Sequence, residues 1–200
     1  MKKRTFKEDQ KKVNELFPNV QKIIEDILKG KIISIEDIEK DSILKTLDRQ
    51  SGIDAFHISE NGIRGIALRI QNINQHNFDT FTIRYSRHNN SKTEYEKRKK
   101  TFQTQKEKGY LYPFLTIQAY VNYDTKEVLK ISIVKTEQLY NYIENNLDMI
   151  LAKQKRTVND GNELIYVTFD QLEKYDGKSI LVKKFQKEIH KNNDINNFGR

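Results

Sequence analysis

Residues 49–71, RQSGIDAFHISENGIRGIALRIQ, decide how this chain folds. Two apolar runs alternate at a period of two on either side of Asn61-Gly62, a step whose tolerance of positive φ makes it a strong hairpin signal. The first run carries one acid, Asp54, and the second ends in Arg69-Ile70-Gln71 rather than in further apolar residues. A carboxylate inside an apolar strand costs free energy on burial unless it is paired, hydrogen-bonded or bound to a cation. Asp54 therefore either faces water on the open side of the hairpin or holds a metal ion. Mg²⁺, which prefers hard oxygen donors and keeps several waters, is the cation that suits a single strand carboxylate.

Upstream of the hairpin, Val13, Leu16, Phe17, Val20, Ile23, Ile24 and Leu28 recur at helical spacing. Pro18 interrupts them and Gly30 closes the stretch, which predicts two helical segments or one kinked helix. Ser34, with Asp37 three places on, opens a second short helix through 34–50. Downstream, the pattern predicts a strand over 78–87, an exposed helix over 93–109, and strands over 110–122 and 128–136 around Tyr123-Asp124-Thr125. A helix then starts at Thr136 as N-cap, and a last strand lies within 162–172. No repeat and no linker divides the chain, so residues 1–186 read as one domain, helical over 1–50 with a sheet core over 51–186. The polar, Asn-rich tail over 187–200 is expected to be disordered. The expected class is mixed α/β, a central mixed β-sheet flanked by helices.

Composition narrows the chemistry. The 200 residues contain no cysteine, which removes disulfides, thiolate nucleophiles and cysteine-based zinc sites. His57, His76, His88 and His190 lack metal-ligand spacing. A glycine-rich phosphate loop, a nucleophile elbow and a dinucleotide fingerprint are all missing. MKKRTFKEDQKK has no apolar stretch behind its basic residues, and no run approaches a membrane span, so a cytoplasmic protein is expected. Lys and Arg outnumber Asp and Glu by 36 to 28, a formal charge of +8 that favours polyanionic partners. The plainer explanation of that charge is a coat of solvated lysines.

A helix, a strand with GIDA, a hairpin turn, a strand ending in two polar residues one apart, and then a helix and a further strand resemble the PD-(D/E)xK nuclease superfamily, the restriction-endonuclease-like fold. The resemblance covers roughly residues 33–146. It implies Mg²⁺-dependent phosphodiester hydrolysis on DNA, with Asp54 as the metal ligand of the second core strand. Arg69 and Gln71 then fall where the family has its acid and its lysine. Gln71 would orient water or phosphate, and Arg69 would stabilise charge on the scissile phosphate. An arginine in place of the acid repels a metal, by about 4 kcal/mol per unit charge pair at 4 Å and an effective dielectric near 20. Three arrangements answer this. Arg69 stands at the lysine position, with Ala67 where the acid would be; or the second acid has moved to Glu36, Glu39 or Asp48; or the chemistry is lost and Asp54 pairs with Arg69 as a structural bridge.

The strongest positive run follows the third strand. From Arg84 to Lys108 nine basic residues face three glutamates. Arg84, Arg87, Lys92, Lys97, Arg98, Lys99 and Lys100 are the candidate nucleic-acid contacts, acting through counterion release and without sequence preference. Tyr85, Tyr95 and Tyr110 offer rings for stacking on bases. The competing reading is a solvated helix face on which Glu94 and Arg98 form an i,i+4 pair. Two functions therefore stand beside each other: a DNA endonuclease, or a catalytically inactive member of the same fold that binds nucleic acid or a protein, as in phage defence or counter-defence. A basic protein-interaction module and a homodimer are also compatible.

Overall fold

The computed structural model describes residues 6–35, 51–73, 79–89, 93–96, 98–99, 112–158, 161–177 and 180–185. The first helix, α1 (Phe6–Leu28), runs unbroken with Pro18 inside it, so the one-helix alternative holds. Leu16, Val20 and Ile24, four residues apart, are fully buried along its inner stripe. The chain leaves the helix at Lys29, whose φ is 54°. Gly30 follows for a different reason: a Cβ there would lie 2.5 Å from the Ile58 carbonyl oxygen and from His57 Nε2.

That close approach starts strand β1 (Lys31–Ser34), which the sequence pattern does not anticipate. Gln21 of α1 donates to the Ile32 carbonyl at 2.8 Å, and the Ile32 N–H donates to Glu25 Oε1 at 2.8 Å. The helix thus satisfies backbone groups along what would be a bare sheet edge. The helix expected over 34–50 falls largely outside the described residues, as do the 100–109 part of the basic helix and the 187–200 tail.

Strands β2 (Ala55–Ser59), β3 (Gly62–Asn72), β5 (Pro113–Val121), β6 (Val128–Lys135) and β9 (Ile180–Lys184) complete a six-stranded sheet in the order β1-β2-β3-β5-β6-β9. All neighbours are antiparallel except β3 and β5, so the sheet is mixed. The hairpin forms as expected but one residue earlier. Ser59 pairs with Gly62, the turn is Glu60-Asn61, and Gly62 opens β3 at a φ of 111°. A second, three-stranded antiparallel sheet runs β4-β8-β7, from β4 (Thr80–Ser86), β8 (Glu163–Thr168) and β7 (Lys155–Thr157).

Further helices among the described residues are α2 (Thr136–Asn145), α3 (Leu147–Lys153) and α4 (Phe169–Asp176). The expected N-cap at Thr136 is not used. Lys135 occupies the cap position without a side-chain bond, and Thr136 Oγ1 bonds Thr116 Oγ1 at 2.9 Å. The helix α4, the strand β9 and the short β7 were not legible as elements. Thr168 and Gln171 form a reciprocal capping box that starts α4.

The large sheet has two unlike faces. Ile66, Ile70, Ile117, Ala119 and Ile131 pack with the α1 stripe in one core, each fully buried aliphatic side chain contributing roughly 1.5–3 kcal/mol. The opposite face carries Arg69, Gln118, Lys130 and Ser132, with Tyr120 among them. A second core, of Phe81, Ile83, Ile165 and Val167 against Leu139, Tyr140, Ile143 and Leu172, joins the small sheet to α2–α4. Among the described residues no helix is long and apolar enough to cross a membrane.

Candidate functional site

Asp54 sits just ahead of β2 on a β-bulge. Its N–H donates to the Ile66 carbonyl at 2.8 Å, although Ile66 already pairs with Ala55. Two residues on one strand therefore oppose one on the other, which breaks the alternation of faces. The Asp54 carbonyl accepts from the Ile35 N–H at 3.0 Å, and its carboxylate Oδ2 accepts from the Leu68 N–H at 2.7 Å. The side chain lines a cleft of about 330 Å³ between α1 and the sheet, with Asn14, Phe17, Gln21, Leu68 and Ile70 among its walls.

The residues of β3 that share this cleft are Leu68 and Ile70. Arg69 and Gln71 alternate to the other face, where Arg69 donates from Nη1 to the Thr82 carbonyl at 3.0 Å and Gln71 meets Gln118 at 3.5 Å. The expectation that Asp54, Arg69 and Gln71 form one catalytic group, and the alternative that Asp54 pairs with Arg69, are both corrected by the bulge. A regular hairpin would have placed Asp54 opposite Ala67 and on the side of Arg69. With the bulge it joins Leu68 and Ile70.

As a Mg²⁺ site the cleft offers, among the described residues, one carboxylate already bonded to a backbone N–H and the neutral oxygens of Asn14, Gln21 and Ser34. No three His, Asp or Glu side chains come together among the described residues. Leu68 and Ile70 give a cation nothing, so the described donor set does not fit Mg²⁺. Glu36, Glu39 and Asp48, the acids proposed to complete the site, lie outside the described residues.

The other face gathers the arginines. Strand β4 crosses the large sheet over β6, β5 and β3 in turn: Lys130 pairs with Asp79, the Tyr120 hydroxyl donates to the Thr80 carbonyl at 2.6 Å, and Arg69 holds Thr82. Beyond it, residues 94–96 and 98–99 are helical, started by Thr93, whose Oγ1 accepts from the Glu96 N–H at 3.2 Å while Glu96 accepts from the Thr93 N–H at 2.9 Å. Glu94 and Arg98 make the expected i,i+4 pair at 2.7 Å, but buried: Arg98 is 5% exposed and also donates to the Gly52 carbonyl at 3.3 Å. Lys99 pairs with Glu144 at 2.6 Å and lies over the Tyr95 ring.

Electrostatics tie the group together. Burial pushes the Glu94 carboxyl up, yet the guanidinium groups of Arg98, Arg69 and Arg84, with a backbone bond from Arg84, hold it below the usual glutamate range. Burial likewise lowers Arg98, and Glu94, Tyr140 and Asp54 outweigh it, keeping the cation more firmly protonated than usual. Arg69 moves the other way: burial and the like charges of Arg84 and Arg156 outweigh Glu94. Arg69 of β3, Arg84 of β4 and Arg98 of the following helical residues thus all act on one carboxylate. Arg156 is the member that sequence reasoning missed, a lone arginine in a short strand with no motif around it. Arg87 is half-buried, and Lys92, Lys97 and Lys100 are outside the residues whose side chains are described. No family model, curated protein or solved structure matches the chain.

Proposed function

We propose that this chain is a nucleic-acid-binding protein of restriction-endonuclease-like architecture that binds without hydrolysing at the β2–β3 strand pair. The succession of α1, the antiparallel β1–β2–β3, and a crossover to β5 lying parallel to β3 agrees with the element order that the resemblance implies. The observation that carries the non-hydrolytic reading is the pair of residues facing Asp54 from β3. They are Leu68 and Ile70, so the strand supplies neither a second acid nor a cation on the side of the carboxylate. The net charge of +8 and the surplus of arginine over glutamate behind β3 favour a phosphate-rich partner.

Fluorescence anisotropy with labelled duplex and single-stranded oligonucleotides at several salt concentrations tests the binding half. Affinity should fall on a log–log plot by about 0.9 per duplex phosphate neutralised. A plasmid-nicking assay with Mg²⁺ tests the other half, and no cleavage is expected. Nicking that disappears in Asp54→Ala would restore the nuclease reading. Absence of salt-dependent binding would leave a protein-interaction module instead.

A further inference from the structure

Among the described residues, the arginines behind β3 carry more positive charge than their neighbours neutralise. Arg84 of β4 and Arg156 of β7 both pair with Leu164 of β8, one on each side. Residues in register across a sheet project from the same face, so the two arginines flank Leu164 with their Cα atoms about 10 Å apart, two strand spacings. Arg69 reaches the same region from the large sheet, anchored by its bond to the carbonyl of Thr82, two residues before Arg84 in β4. Among the described residues Glu94 is the one carboxylate acting on Arg69, and Arg98 already engages it at 2.7 Å.

The donors of this group are largely unused. A guanidinium offers five N–H groups. Arg69 spends one on Thr82, whereas the side chains of Arg84 and Arg156 bond to no described residue, and Arg84 Nε is buried without a partner. A buried donor left unmade is costly, and three cations in electrostatic reach of one another repel. An oxyanion relieves both penalties. Planar guanidinium forks match tetrahedral oxyanions in paired hydrogen bonds, which a solvated lysine coat does not. Arg156 is exposed, whereas Arg84 and Arg69 are both half-buried. That step gives a ligand an entrance at Arg156 and a floor at Arg69, which is tied to the Thr82 carbonyl.

We propose that Arg69, Arg84 and Arg156 form a binding site for a phosphate group, with Arg69 at its floor and Arg156 at its mouth. The inference rests on the nucleic-acid reading only for the source of the phosphate, which is either a nucleic acid or a free phosphate.

The test uses the full chain and inorganic phosphate, titrated against chloride at constant ionic strength and followed by thermal shift and calorimetry. Wild type should show saturable stabilisation. The double variant Arg84→Gln/Arg156→Gln should lose at least tenfold in phosphate affinity, and Arg84→Lys/Arg156→Lys, with charge kept and forks removed, should fall between. If the double glutamine variant fails to fold, the exposed Arg156→Gln alone gives the same reading with a several-fold loss. No saturable phosphate binding in wild type, or equal affinity in the glutamine variants, overturns the site. Competition with 5′-phosphorylated and 5′-hydroxyl oligonucleotides of one sequence then distinguishes the sources. Displacement by both assigns backbone phosphates, and displacement by the phosphorylated strand alone assigns a terminal one. If neither competes while phosphate binds, the site stands with free phosphate as its ligand and the nucleic-acid reading fails. If oligonucleotides bind while phosphate does not, the nucleic-acid reading stands and this site falls.

Discussion

The Leu68 backbone N–H donates to Asp54 Oδ2 at 2.7 Å, so a carboxylate ahead of β2 is clamped to the main chain of β3. This bond answers why an acid interrupts an apolar hairpin. The bulge at Asp54 and Ala55 leaves the ladder locally irregular, and the carboxylate takes up a β3 N–H at that irregularity. The same bulge turns the side chain away from Arg69. One local irregularity therefore separates the two features that the sequence places side by side, the acid of the hairpin and the arginine behind it.

Asp54→Ala should destabilise the fold by roughly 1.5–3 kcal/mol, the loss of a hydrogen bond to a charged acceptor. Asp54→Asn keeps an acceptor at the same place and should lose less than half of that. Urea unfolding of the two variants checks the order. Equal losses would mean that the charge matters and the hydrogen bond does not.

Glu94 gives the fold an acid-sensitive point. Its carboxyl is held below the glutamate range in the folded state, so its contribution is complete above the unfolded value of about 4.3 and is lost as pH falls through the lower folded value. Wild-type stability should therefore drop as pH is taken from about 5 towards 3, with part of the drop missing in Glu94→Gln. At neutral pH, Glu94→Ala leaves Arg98 buried without its ion-pair partner and should cost roughly 3–5 kcal/mol. Unfolding midpoints across pH 3–7 for the three proteins check both statements; parallel pH curves for wild type and Glu94→Gln would sink the first.

Much of the fold is written in the periodicity. The hairpin about residues 60–62, the strands β4, β5, β6 and β8 and the helices α1 and α2 follow from apolar spacing and turn residues. The elements that were not legible have physical reasons. β1 is four residues long and gains its place from Gln21 and Glu25 side chains, which are remote contacts. β7 is exposed at all three positions and so has no apolar signature. The site was legible in its parts: Asp54, Arg69, Arg84 and Arg98 all stand out in the sequence. Their grouping was not, because it depends on a bulge that changes side-chain parity and on β4 crossing the sheet. Arg98 shows the limit most plainly. A cation in a basic run looks solvated until Thr93 starts a helix that turns it inward onto Glu94 and Gly52.

Lys130 provides a contrast to Arg98. It is 3% exposed, paired with Asp79, and burial together with the nearby Lys184 pushes its ammonium group below the ordinary lysine value. A folded-state value below the unfolded one means that the buried ammonium detracts from stability at neutral pH, a penalty relieved only as pH rises through the lowered value towards about 10.4. Lys130→Met should therefore be neutral or stabilising by about 1–2 kcal/mol, since Asp79 is part-exposed and keeps Lys184 at 3.7 Å. Thermal melts at pH 7 check it, and a loss above about 2 kcal/mol would show that the Asp79 pair outweighs the desolvation of the lysine.

Adjacent residues in the basic run should respond very unequally to charge reversal. Arg98→Glu sets a second carboxylate against Glu94 in a buried position and removes the bond to the Gly52 carbonyl, so the variant should unfold or lose more than about 3 kcal/mol. Lys99 is about one-third exposed, and its pair with Glu144 is of the surface kind, so Lys99→Glu should cost under about 1 kcal/mol. Any effect of Lys99→Glu on oligonucleotide affinity then reports a phosphate contact directly, as a salt slope smaller by about one. The expectation that Arg98 contacts phosphate is thereby replaced: its donors are turned towards Glu94 and the main chain. Circular dichroism and anisotropy on the two single variants decide between the roles. A folded Arg98→Glu protein with weakened oligonucleotide binding would return Arg98 to the nucleic-acid surface.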